Sequence, residues 1–189
     1  MTRKAGAAPA AAAPGAGAPA PDAGAPAAVT GVAPLLAAGE RVLLLGIGND
    51  LRGDDGAGPR VAQALAGRVA WDLRAVHGLT PELADDLAGC DVVLFVDADA
   101  DPRLERPAWR PHDPLPGGTG APPLLGHALD APGLLDLTAR LHGRAPRAVT
   151  LALPARDFAL GETLTPDAAT GVEAAVTALL ALHAASSGA

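Results

Sequence analysis

The amino-acid sequence predicts an α/β domain: one twisted, mostly parallel sheet with helices on both faces over residues 39–186, preceded by a disordered tail at 1–38. Three observations predict it. Short apolar runs alternate with segments of helical spacing, the order that builds a parallel sheet covered on both sides. The runs end in loops that carry Gly, His or Asp. The first 30 residues hold 14 Ala, 5 Pro and 4 Gly, and almost no large aliphatic side chain. Such a stretch buries too little apolar area to offset the entropy of ordering it.

The elements follow in order. Residues 41–47, RVLLLGI, are an apolar run ending in glycine and predict a buried strand. Val61, Ala64 and Leu65 recur at helical spacing in 56–67, with Pro59 suited to a first turn and Asp54 or Asp55 as the N-cap. Residues 71–77, WDLRAVH, alternate as a strand does. Thr80-Pro81-Glu82 predicts the next helix start, with Thr80 as its cap. Residues 91–97, DVVLFVD, predict a buried strand ending in an acid. The Pro-rich stretch at about 98–125 reads as mostly loop, and a loop of that length in a compact domain is usually functional or mobile. A helix at 132–142, a strand at 147–153 and a closing helix at 166–184, with Pro166 in its first turn, complete the domain.

Composition excludes several classes. The formal charge is −7; Arg3 and Lys4 against Asp22 leave the tail at +1 and the rest at −8, which argues against a nucleic-acid partner. No continuous run of large apolar residues is long enough to predict a membrane span. Arg3 and Lys4 before an Ala-rich run raise the rival reading of a secretory signal, but Pro9, Pro14 and Pro19 break the apolar helix it needs. Cys90 is the only cysteine, so neither an internal disulfide nor a thiolate metal cluster is possible, and a reducing cytoplasm fits. Beside its apolar run, Cys90 reads as a small buried residue.

Ligands of open α/β sheets bind beyond the carboxyl ends of the strands. Gly46–Asp55, His77 and Asp97 all fall there. Strand, then Gly46 and Gly48, then helix invites a dinucleotide reading, which fits poorly. The G-x-G-x-x-G pattern needs glycine at 51, where Leu51 stands, and Asp54 and Asp55 would repel a pyrophosphate. Residues 31–189 contain no lysine, so a Walker site is absent as well. The same acids suit a cation, with Asp55 and Asp97 converging from two strand ends. Of five histidines, His77 stands at a strand end and His127 precedes the helix at 132, while His112, His142 and His183 lie elsewhere. Carboxylate and imidazole ligands together suit Ni, Mn, Fe or Zn. The plain structural alternative is that Asp54 caps a helix and Asp97 binds backbone N–H groups.

Four stretches carry a resemblance: LLLGIGNDLRGDDGAGPRVAQAL at 43–65, HGLTPELADDLAGCDVVLFVDA at 77–98, GHALDAPGLLDLTARLHG at 126–143 and FALGETLTPDAATGVEAAVTALL at 158–180. Together they resemble the NiFe hydrogenase maturation proteases, endopeptidases that trim the C-terminus of the hydrogenase large-subunit precursor. The resemblance implies a nickel-recognition site of Asp55, Asp97 and His127, with Asp55 and Asp97 at the reaction centre. It implies that the nickel is carried by the substrate and bound transiently. Gly46, Gly48, Asn49 and Asp54 would support the loop, and His77 would be a fourth ligand or a contact to the substrate tail. The HGLT turn at 77–80 and the segment VTLALPARDF depart from the family's usual forms. A monomeric cytoplasmic enzyme is expected; the alternative is a non-proteolytic nickel-checking module or chaperone on the same fold. No HExxH helix and no G-x-S-x-G elbow occurs, which excludes the usual zinc-protease and serine-hydrolase sites.

Overall fold

A computed structural model describes residues 36–112 and 129–188. The elements are β1 (Val42–Ile47), α1 (Ala57–Leu65), β2 (Asp72–Val76), α2 (Leu83–Ala88), β3 (Val92–Asp99), β4 (Ala108–His112), α3 (Ala131–His142), β5 (Arg147–Pro154) and α4 (Pro166–Ser186). The sheet order is β2-β1-β3-β5-β4. β1, β2, β3 and β5 run parallel, and β4 alone is antiparallel. The α/β architecture expected from the alternating pattern is therefore present.

Because β1 pairs with β2 on one side and β3 on the other, the chain reverses its winding between β1 and β3. That reversal opens a crevice beyond their carboxyl ends, the place where such sheets bind ligands.

Strand periodicity divides the core. Leu44, Val92, Leu94, Val96 and Leu151 point to one face, packing with Val61 and Leu65 of α1 and Ala175 and Leu179 of α4. Leu43, Leu45, Val93 and Phe95 point to the other, against Leu83 and Leu87 of α2 and Leu134 and Leu135 of α3. Each fully buried leucine contributes about 1.5–3 kcal/mol relative to exposure, so the strands carrying the crevice are held by packing on both faces. Leu36 is buried in the first of these clusters, so the packed chain begins no later than that residue. The rest of the stretch read as a tail, residues 1–35, lies outside the described residues.

Three local expectations are corrected. The Pro-rich stretch, read as mostly loop, holds a strand that was not anticipated: Ala108–His112 forms β4, which covers the outer edge of β5. Its Pro111 is tolerated because an edge strand need not donate on both sides. Thr80 does not cap α2; the helix begins after Glu82 without a side-chain cap, and the Thr80 carbonyl accepts from Leu83 N–H in a preceding turn. Neither Asp54 nor Asp55 caps α1. A 3-10 turn, Gly53–Gly56, comes first, and Gly56 stands at the cap position without a side-chain bond.

The later helices follow their signals. Asp130 accepts from Gly133 N–H at 2.8 Å to cap α3, and Gly143, at φ 72°, ends it in the left-handed conformation. Thr165 caps α4 ahead of Pro166. By length and apolar composition α4 is able to cross a membrane. Here its Ala168, Gly171, Ala175 and Leu179 are buried against the domain.

Candidate functional site

The site is built where α1 descends onto β1 and β3. A Cβ at Gly46 would overlap the Gly58 carbonyl, and one at Gly58 would overlap backbone of Ile47 and Val96. Hydrogen at both positions lets the start of α1 lie directly on the two strands. The preceding turn, with Asp55, is thereby held at their carboxyl ends.

The loop between β1 and the turn is fixed by its own groups. Gly48 N–H donates to Val76 at the end of β2, at 2.9 Å. Gly48 has φ +132°, and a Cβ there would overlap the Asp55 carbonyl oxygen, so glycine is required. Asn49 N–H donates to Asp55 Oδ2 at 2.9 Å, and Asn49 Oδ1 accepts from Leu51 N–H at 2.9 Å.

Asp97 lies in the last part of β3, partly buried, accepting from Ala98 N–H at 2.9 Å. Burial pushes its carboxyl up to about 6, and the charges of Asp55 and Asp99 push in the same direction. Asp55 and Asp97 therefore sense each other electrostatically, as two carboxylates at one crevice must. A cation between such groups relieves the repulsion. Asp99 is held apart from this role by its ion pair with Arg110.

Asp54, predicted as a cap, does something else. It is fully buried, and accepts from the backbone N–H of Arg156 at 2.7 Å, Asp157 at 3.1 Å and Thr165 at 2.7 Å, and from the Thr165 hydroxyl at 2.8 Å. Burial alone would raise its pKa; these donations outweigh it and hold the carboxyl below its ordinary range. Asp50, not singled out in the sequence, has Oδ1 buried without a partner among the described residues. Its signal was available as a third acid in the NDLRGDD segment.

His77 follows β2 directly. It is exposed, beside the register pair Ile47 and Val76. His127 lies outside the described residues; the chain re-enters at Leu129, whose N–H donates to Leu79 at 3.4 Å in the loop after β2. Among the described residues no three His, Cys, Asp or Glu side chains stand together as a complete metal site. Asp55 and Asp97, close enough for the charge of one to act on the other, are oxygen donors of the kind a hard or borderline cation takes.

Fold and crevice define an α/β domain with paired acids at its topological switch point. Solved structures place this architecture more narrowly, for the chain has the fold of the hydrogenase maturation proteases. The NiFe hydrogenase maturation protease HycI from Thermococcus kodakarensis KOD1 is 24% identical, with TM-score 0.59, over 77% of this chain and 93% of that one. HybD from Thermococcus kodakarensis is 24% identical, with TM-score 0.55, over 76% and 99%. The hydrogenase maturating endopeptidase HybD from E. coli is 23% identical, with TM-score 0.56, over 75% and 90%. No protein-family profile matches the chain, and no curated protein sequence matches it.

Proposed function

We propose that the chain is a hydrogenase maturation endopeptidase that removes the C-terminal extension of a nickel-loaded NiFe hydrogenase large-subunit precursor. The observation that supports the reading is the electrostatic influence of Asp55 on Asp97 at the β1–β3 crevice, with Asp97 raised to about 6, chiefly by burial, in a fold shared with the three proteins above. In this reading the nickel belongs to the substrate. Asp55, Asp97 and His127 supply ligands to it from the protease side, and His77 adds a fourth or touches the substrate tail. The protein works as a monomer in the cytoplasm.

The chain's own acids account for a checkpoint. Without a cation the crevice holds two mutually repelling carboxylates. A precursor tail that brings nickel neutralises them and docks; a nickel-free tail does not. A carboxylate oxygen of the pair that does not bind the nickel serves as a general base close to neutral pH. Asp97 then takes a proton from water as that water attacks the scissile carbonyl. The proton passes to the leaving amine as the C–N bond breaks. Substrate-borne nickel would polarise that carbonyl.

The test incubates purified protein with nickel-loaded and nickel-free forms of the large-subunit precursor and looks by mass spectrometry for a released C-terminal peptide. Release from the loaded form only, abolished by Asp55→Asn and Asp97→Asn and reduced by His127→Ala, is expected. Binding of the loaded precursor without release from either form would sink the protease reading and leave a nickel-checking module.

A further inference from the structure

The one fully buried charged side chain among the described residues is Asp54. Its partners are distant in sequence, at Arg156, Asp157 and Thr165. The backbone closes the same junction. Asp54 N–H donates to the Asp157 carbonyl at 2.8 Å, Gly53 N–H to Gly161 at 2.7 Å, and Gly161 N–H to Leu51 at 2.9 Å. Thr165, which gives Asp54 both its N–H and its hydroxyl, also caps α4 through its Oγ1.

An apolar side chain at this position would hold the turn to the core but would leave its rotation free. A carboxylate with four directed donors sets orientation as well as position. The next peptide along is that of Asp55, whose Oδ2 is met by Asn49 N–H.

We infer that Asp54 is a positioning residue: through Arg156, Asp157 and Thr165 it locks the Gly53–Gly56 turn so that Asp55 keeps its carboxylate in the β1–β3 crevice. The inference rests on the proposed function for its catalytic consequence, but its structural half stands apart from it. Asp54 touches no reacting atom and acts only through Asp55.

The test compares wild type with Asp54→Asn, Thr165→Val and Thr165→Ser. Two readouts are taken: kcat and KM on the nickel-loaded precursor, and amide hydrogen exchange at Asn49, whose N–H reports the Asp55 carboxylate. Misplacing a reactive group by an ångström costs up to about a hundredfold in rate. Asp54→Asn is therefore expected to lower kcat by about tenfold or more, with KM within about twofold, and to speed Asn49 exchange. Thr165→Val should do the same more weakly, and Thr165→Ser, which keeps the hydroxyl, should restore both readouts. A folded Asp54→Asn with unchanged kcat and unchanged Asn49 exchange overturns the inference. If Asp54→Asn does not fold, the Thr165 pair decides, and equal behaviour of Val and Ser overturns it. If wild type cleaves neither precursor, the proposed function fails by itself, and Asn49 exchange alone judges the positioning role.

Discussion

Asn49 donates its backbone N–H to the carboxylate of Asp55 at 2.9 Å, so the loop after β1 aims its own acid. Gly48 makes that possible by passing beneath the Asp55 carbonyl at φ +132°. Gly48→Ala combines a forbidden backbone region with a direct overlap. It is expected to cost about 3 kcal/mol or more in urea unfolding. Gly67→Ala is the control. Its φ is +73° but nothing lies within 4 Å, so it should cost only about 1 kcal/mol. Equal costs would refute the close-approach argument.

Asp97 makes stability depend on pH in an unusual direction. Burial, then the charges of Asp55 and Asp99, raise it from the ordinary 3.8 to about 6. Because the folded value exceeds the unfolded one, its contribution is full below about pH 4 and is lost as pH rises through about 6. Asp97→Asn removes that loss. Its stability relative to wild type should grow between pH 4 and pH 7, by at most roughly 3 kcal/mol. Paired urea unfolding curves at the two pH values check this; a constant difference would remove the buried charge from the account.

Asp54 has the opposite sign. Its donors hold the folded pKa below the unfolded one, so its contribution is present at neutral pH and is lost as pH falls through the folded value. Asp54→Ala leaves three backbone N–H groups and a hydroxyl without their acceptor. The expected cost is about 3–5 kcal/mol at pH 7, shrinking on acidification. Chemical denaturation at pH 7 and pH 3 measures both.

Cys90 is expected to be chemically silent. It is 5% exposed, its thiol donates to the Leu87 carbonyl at 3.3 Å, and burial pushes its pKa up to about 11. A chromogenic disulfide reagent should react with it only after denaturation. Cys90→Ala should leave precursor cleavage unchanged and cost about 1 kcal/mol of stability. Rapid labelling of the native protein would contradict this.

What was legible in the sequence follows from the range of the interactions. β1 and β3 are continuous apolar runs because both their faces are covered, and such runs announce themselves. The first turns of α3 and α4 carry Asp130-Ala131-Pro132 and Thr165-Pro166, whose capping chemistry is local. That Asp55 and Asp97 fall at one end of the sheet could be anticipated, because adjacent parallel strands bring their carboxyl ends together. β4 was missed because AWRPH is short, half polar and interrupted by proline; only pairing with β5 makes it a strand. The cap reading of Asp54 failed for a related reason. An acid just ahead of a helix looks like a cap, whereas its donors stand more than 100 residues along the chain. Asp50 was visible only as a third acid in NDLRGDD; that its Oδ1 is buried without a partner among the described residues is a property of packing.

The antiparallel strand at the sheet margin has a consequence for colloidal behaviour. A bare β5 would offer a neighbouring molecule a ladder of free donors and acceptors running past Val149, Leu151 and Leu153. β4 occupies that ladder and presents in its place a strip containing Pro111, which has no N–H to give, and Arg110, tethered to Asp99. Intermolecular sheet growth from this side is blunted at its first step. The opposite margin, β2, carries Asp72 and Arg74 joined in an ion pair, so charge guards there what proline guards on the other side.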